Sequence, residues 1–289
     1  MRTIFFAVCV ALAASSWAQP TLKVTQLAEQ ADGLSQPHDA AFSPDGGLIY
    51  VTDMRNSRIR VLEAMTLKPV GVFGAGELSF PHDVEFDASG RLLVADTGND
   101  RIAIYEIRGA QAKLVGELKG LSGPEGVAVA PDGRVIVSNT RAGTLSVFRD
   151  GRLERTLGRR GARDGEFANP HDVEAATDGA IYVVDSANDR VQVFDSALKH
   201  RKSFGAEFKL NGPKYLSLDG DRIWLADEDN HRILLLDASH RLLGVLGTGQ
   251  RGRGANAYYK PEAVLARAPH VWVIDTYNDR IVLLRVEEK

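Results

Sequence analysis

Six prolines divide this chain at nearly constant intervals, and that period restricts its possible folds more than any other feature. Pro37, Pro81, Pro124, Pro170, Pro213 and Pro261 stand 44, 43, 46, 43 and 48 residues apart. Each opens the same grammar. A short alternating strand follows the proline, as in "PEGVAVAPDG" (124–133), and breaks at a Pro-Asp-Gly or related turn. A second apolar strand then runs into an acidic turn: "VTDMRNSRIRV" (51–61), "VADTGNDRIAI" (94–104), "VVDSANDRVQV" (183–193), "LADEDNHRILL" (225–235) and "VIDTYNDRIVL" (273–283). The third repeat departs from this pattern with "VSNTRAGTLSV" (137–147). A third strand and a short fourth one, ending near glycine, complete the unit. No segment holds a helical period. A repeat of this length is one small sheet that cannot bury its faces alone, so copies must stack.

The expected fold is therefore all-β: a six-bladed β-propeller of four-stranded antiparallel blades, occupying residues 19–289. The sixth repeat supplies only three strands. "TLKVTQLAEQ" (21–30) has strand character and no blade of its own. It is expected to add the missing outer strand and close the ring, which also removes an open sheet edge.

Residues 1–18 read as a signal peptide. Arg2 precedes an apolar run over 4–14, and Ser16 and Ala18 are the small residues a cleavage site requires. The run is too short to span a membrane, and no later stretch is longer. The expected location is periplasmic or secreted. The only cysteine, Cys9, lies inside this segment, so the mature chain would carry no thiol chemistry. Hydrophobic residues make up 44% and charged residues 25%, as in a globular protein. The net charge of −3 argues against a nucleic-acid partner. A monomer is expected.

Propeller topology turns the repeat into geometry. The residue after each proline opens an innermost strand at one mouth of the central channel. In order these are His38, His82, Glu125, His171, Lys214 and Glu262. In a hexagon, alternate positions form a triangle. One triangle is His82, His171 and Glu262, and two imidazoles with one carboxylate are a ligand set for catalytic zinc or another divalent metal. His38 lies between Glu262 and His82, where it is an additional ligand or a base. Asp39, Asp83 and Asp172 follow the three histidines. Strand alternation turns them to the other side, where they are expected to bond turn backbone, the alternative being support of the metal ligands. The repeated Asp-x-x-Asn-x-Arg turns read as structural. Two long loops, 158–170 and 247–261, bring Arg159, Arg160, Arg163, Arg251, Arg253, Tyr258, Tyr259 and Lys260 towards the histidine-bearing face, a local basic surface for an anionic ligand.

The repeat pattern resembles the NHL repeat over nearly the whole mature chain. The Pro-His openings "FPHDV" and "NPHDV" further resemble the peptidyl-α-hydroxyglycine α-amidating lyase family. That resemblance implies zinc held by three post-proline histidines, a tyrosine and an arginine acting on the substrate, and a peptide amide and glyoxylate as products. His82 and His171 match the first two metal histidines. The third position, in "KPEAV", is Glu262. The turn that holds the family's tyrosine holds Arg141, which would bind a carboxylate. The family's first-blade arginine position falls near Asp53, with Arg55 close by. Tyr277, two residues after Asp275, has the tyrosine's local setting on another blade and is a candidate, with His38, to move a proton. Two readings follow: a metal-dependent lyase or hydrolase relative acting on a peptide or small anionic substrate, or a non-catalytic propeller binding a ligand or protein on this face.

Overall fold

The computed structural model describes residues 22–288. Residues 1–18, expected above to be a signal peptide, and Cys9 with them lie outside the described residues. Six four-stranded antiparallel sheets form the molecule. Five are continuous in sequence, their innermost strands being Pro37–Phe42, Pro81–Phe86, Pro124–Val129, Pro170–Ala175 and Pro213–Asp219. We number these blades 1 to 5. The sixth blade takes its three inner strands, Ala263–Arg267, His270–Asp275 and Arg280–Glu288, from the far end of the chain. Its outer strand is Leu22–Gln30, which pairs antiparallel with Arg280–Glu288. The ring is thus closed by the N-terminal strand.

The core is divided as the repeat demands. Six apolar clusters fill the six spaces between neighbouring blades, each drawn from the two blades it joins, with Tyr215 of blade 5 added to the one between blades 6 and 1. Between blades 6 and 1, for example, Ile49, Val51 and Leu62 meet Trp272, Ile274 and Leu283. No blade owns a complete core, so the blades are stable only as a stack.

The acidic turns build the upper face. Asp53, Asp96, Asp185, Asp227 and Asp275 are fully buried at the end of each second strand. One carboxylate oxygen of each accepts a backbone N–H just before the proline of its own blade, as from Ser35 (2.8 Å) and Tyr259 (2.8 Å). The other oxygen receives the asparagine amide and the arginine Nε of the same turn, as from Asn278 (2.8 Å) and Arg280 (2.7 Å). In blade 3, Asn139 keeps the first role, accepting from Ser122 at 3.1 Å, and turns its amide to Ser146. The structural reading of these turns holds.

The turns also join the blades. The residue before each turn arginine has left-handed backbone, and its side chain caps the residue before the next blade's proline. Phe80 N donates to Ser57 (3.3 Å), Gly123 N to Asp100 (2.7 Å), Gly212 N to Asp189 (2.8 Å), Lys260 N to His231 (3.2 Å) and Gln36 N to Asp279 (2.7 Å). In blade 3 that position is Gly143, which has no side chain to offer. Asn169 turns to Asp185 instead, at 3.3 Å. The capped residues are themselves left-handed: Gly123 and Gly212 tolerate this freely, whereas Gln36, Phe80 and Lys260 adopt φ of 44°, 48° and 50°.

Candidate metal centre at the channel mouth

The six post-proline side chains meet at the mouth, but not as a regular hexagon. His38, His171 and Glu262 are buried, and one donor atom from each lies within 4.8 Å of the others. The rings of His38 and His171 stack with centroids 5.8 Å apart. His38 Nε2 stands 2.6 Å from Glu262 Oε2. This contact is not aligned as a hydrogen bond, and Glu262 Oε2, His38 Nδ1 and His171 Nδ1 are all buried without a hydrogen-bond partner. Buried polar atoms are ordinarily satisfied, so three orphans in one cluster need an explanation.

The set differs from the alternate-position triangle in one member: His38 joins His171 and Glu262, and His82 stands beside them. The His82 ring packs edge-on against His38, with centroids 4.4 Å apart. Its Nδ1 bonds the Phe80 carbonyl at 2.8 Å, which fixes the ring's orientation and leaves Nε2 with the lone pair. The hexagon locates backbones. An imidazole reaches across a narrow channel, so its rotamer decides which donors converge.

Burial sets the charge state. It lowers His38 to about 3, helped by Lys214, and His82 to about 4, helped by His38. His171 is pushed well down by burial and then by Lys214. All three imidazoles are therefore neutral near pH 7, the form that ligates metals. Burial raises Glu262 to about 7 against the opposing pull of Lys214 and His82. Burial also raises Glu125, which lies 3.4 Å from His171 Nε2. Lys214 is drawn down by burial, yet Glu262, Glu228 and Glu125 together hold it above its ordinary value. A neutral histidine pair beside a carboxylate with unpartnered atoms fits a divalent cation by donor chemistry.

Four supporting residues escaped the sequence reading. Tyr215, fully buried, sets its ring edge-on beneath His171 at 4.9 Å and donates its hydroxyl to the Glu125 carbonyl at 3.0 Å. The signal was present: in "GPKYL" the tyrosine takes the place that Asp39, Asp83 and Asp172 hold elsewhere. Thr52 and Ser138, on second strands, donate to the carbonyls of His82 (3.0 Å) and His171 (3.1 Å) from the preceding blade. Glu228, in the blade 5 turn, takes both Lys214 (3.5 Å) and Lys260 (3.3 Å).

The aspartates after the histidines do not bond turn backbone. Asp83 accepts from Val127 N at 2.6 Å and Asp172 from Leu216 N at 2.9 Å, each in the strand of the next blade. Asp39 stands beside Asp83, whose charge adds to burial in raising it. Burial drives all three up, Asp83 to about 6, and the two interblade hydrogen bonds stitch the inner strands together. Gly126 permits this closeness: a Cβ there would sit 2.8 Å from Asp172 Cα.

The loop cations are largely committed. Arg159 pairs with Glu166 (2.6 Å) and Arg253 with Glu29 (3.0 Å). Arg160 donates to the carbonyls of Ala168 and Arg141. Tyr258 is fully buried, not presented on the face. Arg141 is exposed on the rim and pairs with Asp100 at 3.0 Å. Tyr277 sits on the rim where blade 6 meets blade 5: its N–H donates to Tyr259 O (3.3 Å), and its ring lies 5.3 Å from Lys260 Nζ. Its ring meets Tyr259 at 5.4 Å. Burial, then Glu262 and Glu228, raise its phenol.

The family profile described as NHL repeat matches residues 34–62, 78–105, 121–148 and 167–194, which fall in blades 1 to 4. Human NHL repeat-containing protein 3 is 30% identical over 182 residues, 56% of this chain, and the chain spans half of that relative's length. Two solved structures share the fold alone. An auxiliary nutrient binding protein from Bacteroides ovatus superposes with a TM-score of 0.69 at 15% identity, covering 93% of this chain and 78% of its own. A streptogramin B lyase gives 0.66 at 12% identity, covering 92% and 98%. The matched repeats and the six closed sheets make this protein an NHL-repeat six-bladed β-propeller.

Proposed function

We propose that the channel mouth holds a divalent metal, zinc by its donor set, and serves a lyase reaction on a peptide or small anionic substrate. The convergence of His38, His171 and Glu262 donors within 4.8 Å, with three orphaned buried polar atoms among them, carries this reading. A divalent ion held there would polarise a substrate oxygen or lower the pKa of nearby water. His82, fixed by the Phe80 carbonyl, lines the same space. Lys214 is the cation nearest the cluster and attracts an anionic group. Tyr277 stands on the rim beside Lys260, within the influence of Glu262, and its hydroxyl is the proton donor for a leaving group. Arg141, held by Asp100, is the weaker carboxylate binder of the pair of candidates. The reaction class rests on the amidating-lyase resemblance of the Pro-His openings. Export to the periplasm or medium, from the leader at 1–18, belongs to the same proposal.

Elemental analysis of the purified protein, with His171→Ala as control, tests the metal. Absence of stoichiometric metal after zinc loading overturns the reading. Release of glyoxylate from an α-hydroxyglycine peptide tests the reaction. Metal without glyoxylate would favour the second reading, a ligand-binding propeller, which the exposed aromatic side chains on this rim support.

A further inference from the structure

Each blade sends one second-strand side chain, three residues before its buried turn Asp or Asn, into the space shared with the next blade. In blades 1, 4, 5 and 6 that side chain is aromatic: Tyr50, Tyr182, Trp224 and Trp272. Blade 2 has Leu93 there and blade 3 has Ile136. Two of the rings also reach the turn between the third and fourth strands of the next blade, on the face opposite the channel mouth. Tyr50 donates its hydroxyl to Gly109 O at 2.6 Å, and Trp272 donates Nε1–H to Ala64 O at 2.7 Å. Between blades 3 and 4 a different side chain takes this role. Arg134, two residues before Ile136, is buried and donates to Ser196 O in the corresponding turn of blade 4.

Between blades 2 and 3 both devices are missing. Leu93 carries no ring. Arg91, the counterpart of Arg134, is half exposed and turned onto Asp87 at 2.7 Å. The Asp150–Gly151 turn of blade 3 receives no side-chain donor among the described residues. What remains is a cavity of about 440 Å³. Its walls are Leu93, Ile104, Leu118, Val129, Val135 and Phe148, and it ends on Asp150 and Gly151. Ile104, Val129 and Val135 are only half-buried, so the stacking of the blades leaves apolar surface open here. Cavities also stand beside Tyr182 and Trp224, but there the ring is in the wall.

We infer that this cavity is a binding site for a small, neutral, flat aromatic molecule with one N–H or O–H donor, of the indole or phenol class. Its ring takes the place that Tyr50 and Trp272 fill in their own spaces, against Leu93 and Phe148, and its donor meets the free backbone carbonyl of the Asp150–Gly151 turn. The volume falls within the roughly 300–1,000 Å³ of small-molecule sites, which pair apolar walls with a few polar groups. A ring gains contact with Phe148 beyond simple burial, and its N–H or O–H needs the partner that the turn offers. The rim disfavours an anion: Arg91 is neutralised by Asp87, and Asp150 is exposed without an ion pair among the described residues. The site lies away from the channel mouth and does not depend on the metal reading.

Calorimetric titration of the purified protein with indole and with 1-methylindole, which lacks the N–H, tests this. Indole is expected to bind about ten-fold more tightly than 1-methylindole, the effect of one hydrogen bond. Leu93→Trp restores the ring that four other blades carry. It is expected to weaken indole by about ten-fold or more, with a melting temperature at or above that of wild type. If this variant melts well below wild type, Ile104→Trp, on the half-exposed wall, decides by the same loss. No saturable binding of indole to wild type overturns the site, as does an affinity unchanged in the folded variants. Equal affinity for the two probes overturns the carbonyl contact and with it the ligand class. Self-association that indole suppresses assigns the cavity to a side chain of a second copy and also overturns the small-molecule site.

Discussion

His38 Nε2 and Glu262 Oε2 face each other at 2.6 Å across the boundary between blades 1 and 6, the joint where the two ends of the chain meet. The pair is buried and its contact is not a hydrogen bond. Closure of the ring therefore brings together the two donors on which the candidate metal centre depends.

Removing either donor, or His171, is expected to abolish stoichiometric zinc binding. His82→Ala leaves the three converging donors in place and is expected to weaken binding about ten-fold, the effect of losing a neighbour that orients a ligand. Zinc titration of the four single variants checks this. Equal losses for His82→Ala and His38→Ala would place His82 among the direct ligands.

Zinc affinity should rise as pH increases through about 7. Burial holds Glu262 protonated up to about 7, whereas the histidines are already neutral there. Binding must displace the carboxyl proton. Proton release measured by calorimetry in buffers of different ionisation enthalpy should be largest below pH 7.

Stability of the metal-free protein should fall between pH 6.5 and about 8. Glu85 is raised to about 8, by burial and then Asp83, and Glu262 to about 7. Across this interval the folded state keeps protons that the unfolded state has released, so unfolding is favoured as pH rises. The buried histidines oppose this only near the lower end, where unfolded imidazoles are still partly protonated, and add no slope above about 7.5. Below 6.5 they act in the opposite sense: His38, His82 and His240, lowered to about 3, 4 and 4, stay neutral in the fold while the unfolded chain takes up protons. Melting temperatures at half-unit pH steps check both limbs, and Glu85→Gln should flatten the upper one.

Deleting residues 21–30 should lower the melting temperature by about 10 °C or more. The strand Leu22–Gln30 packs Leu22 and Val24 against the core between blades 5 and 6, and Glu29 pairs with Arg253 and Arg280. Loss of that burial is worth several kcal/mol, at ~2–4 °C each in a protein of this size. An unchanged midpoint would show that blade 6 stands on three strands.

Asp185→Ala should destabilise by about 3–5 kcal/mol, because Arg190 loses its buried partner and the Ala168 N–H its acceptor. Asn139→Ala, in the one turn without this ion pair, should cost about 1–3 kcal/mol. Chemical denaturation of the two variants gives the comparison.

The sequence by itself determined the blade count, the four-stranded sheets, the structural part of the acidic turns and the use of 21–30 to close the ring. Those follow from period and alternation, which survive translation into any ring of stacked sheets. It also located the six mouth positions, since one residue per repeat must fall there. Only the tertiary structure decided which of them converge. His38 turns into the channel beside His171 and Glu262, while the left-handed backbone at Phe80 offers a carbonyl that holds His82 aside. Asp83 and Asp172 bond strands of the next blade, and Tyr215 fills the floor from across the ring. A repeat fixes where each side chain starts. Rotamers and contacts across a narrow channel depend on all six blades at once, and no single repeat encodes them.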